Sequence, residues 1–175
     1  MIDEKKIYFA GEDESVIIPS KREEDGAYDI YANFDTDIFF VEPFETVKIP
    51  TKLHSAFSKK YRAVLGERGS TGTIGIAQRA GIIDSGYRGE WLVPITNINI
   101  RPLIIAKKHI SKKELIQICK DYGYSLEPIV YPYEKAISQI KLEEVPEVEV
   151  ETMNLEDLMK IPSERGTGRL GSSGK

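Results

Sequence analysis

For its first hundred residues the chain is a succession of short β-forming segments, and no helical period interrupts them. The segments KIYFA, SVIIP, AYDIYA, DIFFVEP, TVKIPTKL, YRAVLGE and EWLVPITNINI are rich in Val, Ile, Tyr and Phe and are separated by Gly, Pro and Asp. β-Branched and aromatic residues fit a pleated, half-buried surface, and closely spaced runs of them with turn residues between predict an antiparallel sandwich or barrel. The pattern changes over residues 101–131, where HISKKELIQICKDYGY carries Leu115, Ile116 and Ile118 between lysines. Ser111 and Glu114 have the spacing of a capping box and Gly123 that of a stop, so one amphipathic helix of about three turns is expected as an insertion into the β protein. Strand character returns in AISQIKLEEV. The acidic stretch EEVPEVEVETMNLEDLMK follows, in which Asn154 is placed to cap a short helix over LEDLMK. The last segment, ERGTGRLGSSGK, is glycine-rich with no apolar period; it is either disordered or ordered by a ligand. The expected organisation is one all-β domain over residues 1–164 and a C-terminal arm over 165–175. No internal repeat is present.

The charge balance narrows the functional classes. Lys and Arg number 24 against 28 Asp and Glu, a formal net charge of −4. That argues against bulk electrostatic binding to nucleic acid or to an anionic membrane, while leaving room for a compact basic site for a polyphosphate. The one cysteine, Cys119, has no partner for a disulfide or a metal cluster, which fits a reducing cytoplasm. The N-terminal MIDEKKIYFA lacks a signal-peptide core, and no run approaches the roughly 20 apolar residues of a membrane helix. The expectation is a soluble cytoplasmic protein.

Three segments are candidates for chemistry. In GERGSTGTIGIAQ, clustered glycines let backbone amides converge on an anion, and Arg68, Ser70 and Thr71 complete a phosphate-binding surface. The plainer reading is a hairpin turn with a solvated arginine. In AGIIDSGYRGEWLVPITN, Asp84 stands on a turn at a strand end, where a carboxylate suits general-base work on water and Tyr87 offers a ring wall. The plainer reading is an aspartate capping a β-turn. The C-terminal glycines, with Ser172, Ser173 and Lys175, are not a Walker loop, because no helix follows the lysine in this sequence to hold the phosphates. A mobile arm closing over a ligand, with Arg165 as its charged anchor, fits better.

Taken in order, these segments resemble the homotrimeric dUTPase family, all five of whose motifs have a counterpart. GAYDIYA resembles the first motif and KIPTKLHSAF the strand after it. GERGSTG is similar to the second, AGIIDSGYRGE to the third, KAISQIKL to the fourth and RGTGRLGSSG to the fifth. The resemblance implies a jelly-roll-like fold and hydrolysis of dUTP to dUMP and pyrophosphate with Mg2+ as cofactor, in a homotrimer whose active sites are shared between subunits. It places on Asp84 the activation of the attacking water and on Tyr87 the packing against deoxyribose. Uracil would be read by backbone groups from about Gly81, with Gln78 as the accompanying amide. Arg68, Gly69, Ser70 and Gln139 would meet the phosphates, and Asp29 would lie near the water shell of the metal. Arg165, Leu170, Gly171, Ser172 and Ser173 would arrive on the arm of another subunit.

The pattern departs from the family in four places. Gly69 stands where the second motif has its first serine, Leu170 where the fifth has an aromatic ring, and Arg169 where it has glycine; the 101–131 region is an insertion. That insertion is either a packed decoration or a surface for a protein partner. Two rival readings accompany the diphosphatase. A dCTP deaminase of the same fold needs a glutamate on the strand after the third motif, and Pro94 stands there. A dUTP-binding regulatory protein would bind without turnover. A nucleic-acid-binding module lacks a basic stripe with interleaved aromatics.

Overall fold

The computed structural model describes residues 2–167. Twelve strands and three short helices follow in the order β1 (Ile7–Gly11), β2 (Tyr28–Ile30), β3 (Ile38–Val41), β4 (Thr46–Ile49), β5 (Leu53–Phe57), β6 (Tyr61–Gly66), α1 (Gly69–Gly72), β7 (Ile76–Gln78), β8 (Ile82–Ile83), β9 (Val93–Asn97), β10 (Leu103–Ala106), α2 (Lys112–Asp121), β11 (Ile129–Pro132), β12 (Ser138–Glu144) and α3 (Leu155–Lys160). The strands form four small sheets with the orders β1-β5, β11-β10-β3, β2-β12-β6-β8 and β4-β9-β7. The class is all-β with few helices, as the strand pattern predicts, and the arrangement is the jelly-roll-like one expected from the family resemblance.

The main core is built from alternate positions of these strands. Ile30, Ile49, Leu53, Phe57, Ile76, Trp91, Ile95, Leu103, Ile137 and Ile140 are all buried in it. The Trp91 ring takes Phe9 edge-on at 5.7 Å, and its Nε1–H donates to Ser55 Oγ at 3.1 Å, so the one polar atom of the largest core side chain is satisfied.

The 101–131 region is more than a helix. Its helix covers only Lys112–Asp121, and the flanks are strands β10 and β11, which pair in parallel (Leu103 opposite Ile129, Ala106 opposite Pro132). Every other strand pairing is antiparallel. Parallel neighbours need a long crossover, and α2 supplies it. β10 is buried along its whole length because it serves two cores. Leu103 and Ile105 face the main one, while Ile104 and Ala106 join Leu115 in a second cluster backed by Ile38, Phe40, Ile110 and Ile118. The helix ends are those expected: Ser111 and Glu114 bond reciprocally at the start. At the end, Gly123 at φ 82° donates to Lys120 O, and Tyr124 N–H donates to Cys119 O at 2.7 Å, a Schellman closure.

Other details differ from expectation. The SVIIP segment forms no strand; Ile17 and Ile18 lie exposed in a loop. GSTG makes one helical turn, α1, which is too short to carry a period. The chain divides into two compact units, 1–145 and 146–175, and every described residue of the second is exposed. Within that second unit α3 has the expected cap, Asn154 Oδ1 accepting from Asp157 N–H at 2.9 Å. Among the described residues no helix is long and apolar enough to cross a membrane.

Candidate active site

The four-stranded sheet brings three of the motif segments together. β12 places Gln139 opposite Asp29 of β2 on one side and opposite Gly66 of β6 on the other. Two residues past Gly66, Arg68 turns back over this edge. Its Nε donates to Asp29 Oδ1 at 2.8 Å and its Nη2 to Asp29 Oδ2 at 3.1 Å, a forked pair of charge-assisted bonds. Nη1 donates to Ser70 Oγ at 3.1 Å and to Ala136 O at 3.2 Å. Gln139 Nε2 donates to Glu67 O at 2.6 Å, which ties β12 to the same loop. The turn itself is held by Thr71, buried, whose Oγ1 accepts from Arg68 N–H at 3.1 Å. Ser70 is thereby left facing outward beside the guanidinium.

Asp29, Arg68 and Gln139 line a cleft of about 650 Å³ together with the 20–27 loop. That loop contributes Lys21, Arg22 and Asp25, which sequence reasoning passed over because nothing local marks them. Arg22 pairs with Asp25 at 2.9 Å, as Arg68 pairs with Asp29. Lys21 Nζ donates only to backbone, Arg22 O and Glu23 O at 3.2 Å each, and lies 5.6 Å from the Tyr28 ring centre. It forms no close ion pair among the described residues, although its charge acts on the Asp25 carboxylate, and it gives this wall a net positive charge. At Gly69 an added Cβ meets nothing within 4 Å, so the departure at this position leaves open space where the family has a side chain.

Asp84 is elsewhere. β8 pairs with β6, Ile83 opposite Ala63 and Ile82 opposite Val64, and Asp84 is the next residue. Tyr87 N–H donates to Asp84 O at 3.0 Å, closing a tight turn, and Tyr87 Oη donates to Glu90 O at 3.0 Å. The Tyr87 ring is 45% exposed and, with Asp84, Ile83, Glu90 and Leu92, lines a second cleft of about 210 Å³. The Asp84 carboxylate is exposed and has no ion pair or hydrogen bond among the described residues. Gly81 crosses β6 at φ 146°, where a Cβ would stand 2.9 Å from Leu65 Cβ, so this strand crossing requires glycine. No residue lines both clefts.

Gln78 is held by its surroundings. Its Nε2 donates to Pro94 O at 2.9 Å and Arg79 O at 3.1 Å, and its Oε1 accepts from Ser138 Oγ at 2.9 Å. The side chain thereby ties β7 to β9 and β12. Pro94 sits in β9 opposite Lys48, and no acid replaces it. Arg165 belongs to the second unit; Leu170, Gly171, Ser172 and Ser173 lie outside the described residues. Among the described residues no three His, Cys, Asp or Glu side chains are grouped to hold a metal ion.

The dUTPase family model matches residues 13–113, more than half of the sequence. The chain belongs to the dUTPase family. A viral relative of this dUTPase chain is the Pol polyprotein of caprine arthritis encephalitis virus (strain Cork), 32% identical over 123 residues, which are 70% of this chain and 10% of that one. The chain thus spans about a tenth of the length of that relative. Among solved structures, a mutant of the Staphylococcus bacteriophage 80alpha dUTPase with dUpNHpp aligns at TM-score 0.74 and 20% identity, covering 98% of this chain and 99% of that one. A mutant dUTPase from phage phi11 of S. aureus, described with a structural Mg(II) ion, aligns at TM-score 0.62 and 16% identity over 85% and 96% of the two chains. The EIAV dUTPase aligns at 0.58 and 18% identity over 86% and 98%. At these identities the structural matches establish the fold.

Proposed function

We propose that this chain hydrolyses dUTP to dUMP and pyrophosphate in a homotrimer. The observation that carries the reading is the separation of the two clefts within one chain. Asp84 is one step beyond Ile83, which is opposite Ala63, while Arg68 lies past the far end of β6. At the rise of an extended chain that is roughly 15–20 Å. A carboxylate that activates water and an arginine that receives phosphate must meet on one triphosphate. Copies of this chain sharing their sites satisfy that requirement, the Asp84 turn of one facing the Arg68 cleft of another.

In such a site the unpaired Asp84 carboxylate takes a proton as the water oxygen attacks the α-phosphorus. The bond from that phosphorus to the bridging oxygen breaks, and the pyrophosphate leaves with added negative charge. Arg68 and Lys21 stabilise this charge, joined by Arg165, Ser172 and Ser173 from an arm. Tyr87 walls the sugar, Gly81 offers backbone to the base, and Gln139 and Ser70 hold the phosphate side. Asp29, with both oxygens against Arg68, fits Mg2+ through the water shell of the ion and not as a direct ligand, which suits an ion held mainly by phosphates. When bound, Mg2+ screens the triphosphate charge. Residues 165–175 act as the closing arm. The exposed face of α2, with Ile116 and three lysines, is where a protein partner of the insertion would dock.

The test is product chemistry. Purified protein with Mg2+ is offered dUTP, dCTP, dTTP and UTP, with Asp84→Asn in parallel. Conversion of dUTP alone to dUMP and pyrophosphate, abolished in the variant, supports the reading. Binding of dUTP without turnover favours the regulatory alternative, and deamination of dCTP overturns both.

A further inference from the structure

The 84–90 turn is fastened to its surroundings by an arrangement that depends on one proton. His54 lies on β5, opposite Ala10 of β1, with its side chain 30% exposed. Its Nδ1 is 2.9 Å from Arg88 O, inside the turn, and its Nε2 is 3.1 Å from Glu12 Oε1, just past β1. Both partners only accept hydrogen bonds. A neutral imidazole carries one N–H and can satisfy one of them; the imidazolium carries two and satisfies both.

We propose that His54 is a positioning residue for Asp84: as an imidazolium it joins the 84–90 turn to the segment after β1, and loss of its proton breaks one of these two links. The functional consequence rests on the reading that Asp84 activates the attacking water.

The groups around the ring agree with this. Glu12 and Glu90 are the acids that act on it electrostatically, and both favour the charged form. The Arg88 guanidinium is engaged by backbone carbonyls, donating to Ser85 O at 2.7 Å, Tyr87 O at 2.9 Å and Ser55 O at 3.4 Å. Lys52, the nearest lysine in sequence, is engaged by Asp35 and Asp13. The Arg88 carbonyl first, then the Glu12 carboxylate, raises the imidazole above its ordinary value against a small cost of desolvation. The link is therefore complete at low pH and lost as pH rises through the folded-state midpoint of His54, in the range above about 6.5.

The rest of the turn has fixed anchors, which confines the effect. Glu90 Oε1 accepts from Thr51 N–H at 3.0 Å and Lys52 N–H at 2.8 Å, and Trp91 N–H donates to Leu53 O at 2.8 Å. The His54 ring is the imidazole contact of this turn, through Arg88 O.

The experiment is a pH titration by NMR of the intact protein; only His54 and His109 contribute imidazole signals, and His109→Gln assigns them. The expected result is a raised His54 midpoint, reported at the same pH by the backbone amides of residues 85–89, and lowered in Glu12→Gln. Turn amides that stay flat through the His54 titration overturn the proposal, whether or not the protein hydrolyses dUTP. In the companion assay, kcat/KM for dUTP falls by about threefold across that midpoint, the scale of a partly exposed ion pair. His54→Gln and Glu12→Gln lose this limb. A limb unchanged in both variants overturns the coupling to Asp84. Absence of dUTP turnover at every pH instead removes the proposed function, and the amide titration still decides the clamp.

Discussion

The two clefts are built on opposite electrostatic plans. Around Arg68 both arginines are already paired: its guanidinium forks onto Asp29, and Arg22 is held by Asp25. Around Asp84 the backbone is bound on every side while the carboxylate itself has no partner among the described residues. A group that binds a triphosphate tolerates an internal partner, since an arriving phosphate shares or displaces it and the arginine is held in a usable rotamer meanwhile. A group that must accept a proton gains nothing from a cation clamped to it, because such a partner lowers its basicity. Preorganisation therefore acts on the side chain in one cleft and on the main chain in the other.

This contrast is broken most severely at Asp84. Asp84→Asn keeps the turn and removes the base, and turnover of dUTP falls by about 10³-fold with little change in the affinity of a non-hydrolysable analogue, the usual scale of a general base. Single-turnover kinetics beside a binding isotherm separate the two effects. Arg68→Ala acts on binding and charge stabilisation together, lowering kcat/KM by roughly 10²-fold; Arg68→Lys restores only part, since an ammonium lacks the fork that engages Asp29 and Ser70. Steady-state kinetics of the pair measure how much of the role is geometry. Two glycines sharpen the comparison at lower cost. Gly81→Ala drives a methyl against Leu65 in a backbone conformation foreign to alanine, and destabilises by about 1–3 kcal/mol in denaturant titration. Gly69→Ser enters open space and shifts stability by less than about 0.5 kcal/mol.

What was legible in the sequence follows the range of the interaction concerned. The capping box of Ser111 and Glu114, the Gly123 stop and the Asn154 cap were readable because each closes within four residues. The strands of the body were readable from composition and turn residues. The parallel pairing of β10 with β11 was not, since no local pattern records which distant strand lies alongside. The contacts of the Gln78 amide are hidden for the same reason: Ser138 and Pro94, its partners, are remote in sequence. Asp29 and Arg68 were both singled out, yet their mutual pairing became visible only through the register of β2, β12 and β6. SVIIP has the hydrophobicity of a strand, yet it adopts loop geometry, with Val16 packed over the main core.

The parallel β10–α2–β11 unit also sets how this chain tolerates shortening. Removing α2 in favour of a tight turn is not a neutral trim, because a hairpin connects only antiparallel neighbours. A deletion confined to the helix would either pull β11 from the edge of its sheet or force it to reverse, and Tyr131, which is buried and donates to Ala136 O at 2.7 Å, would leave the core with it. A shortened chain therefore has to keep a crossover long enough to hold β11 parallel to β10, because Tyr131 belongs to the main core.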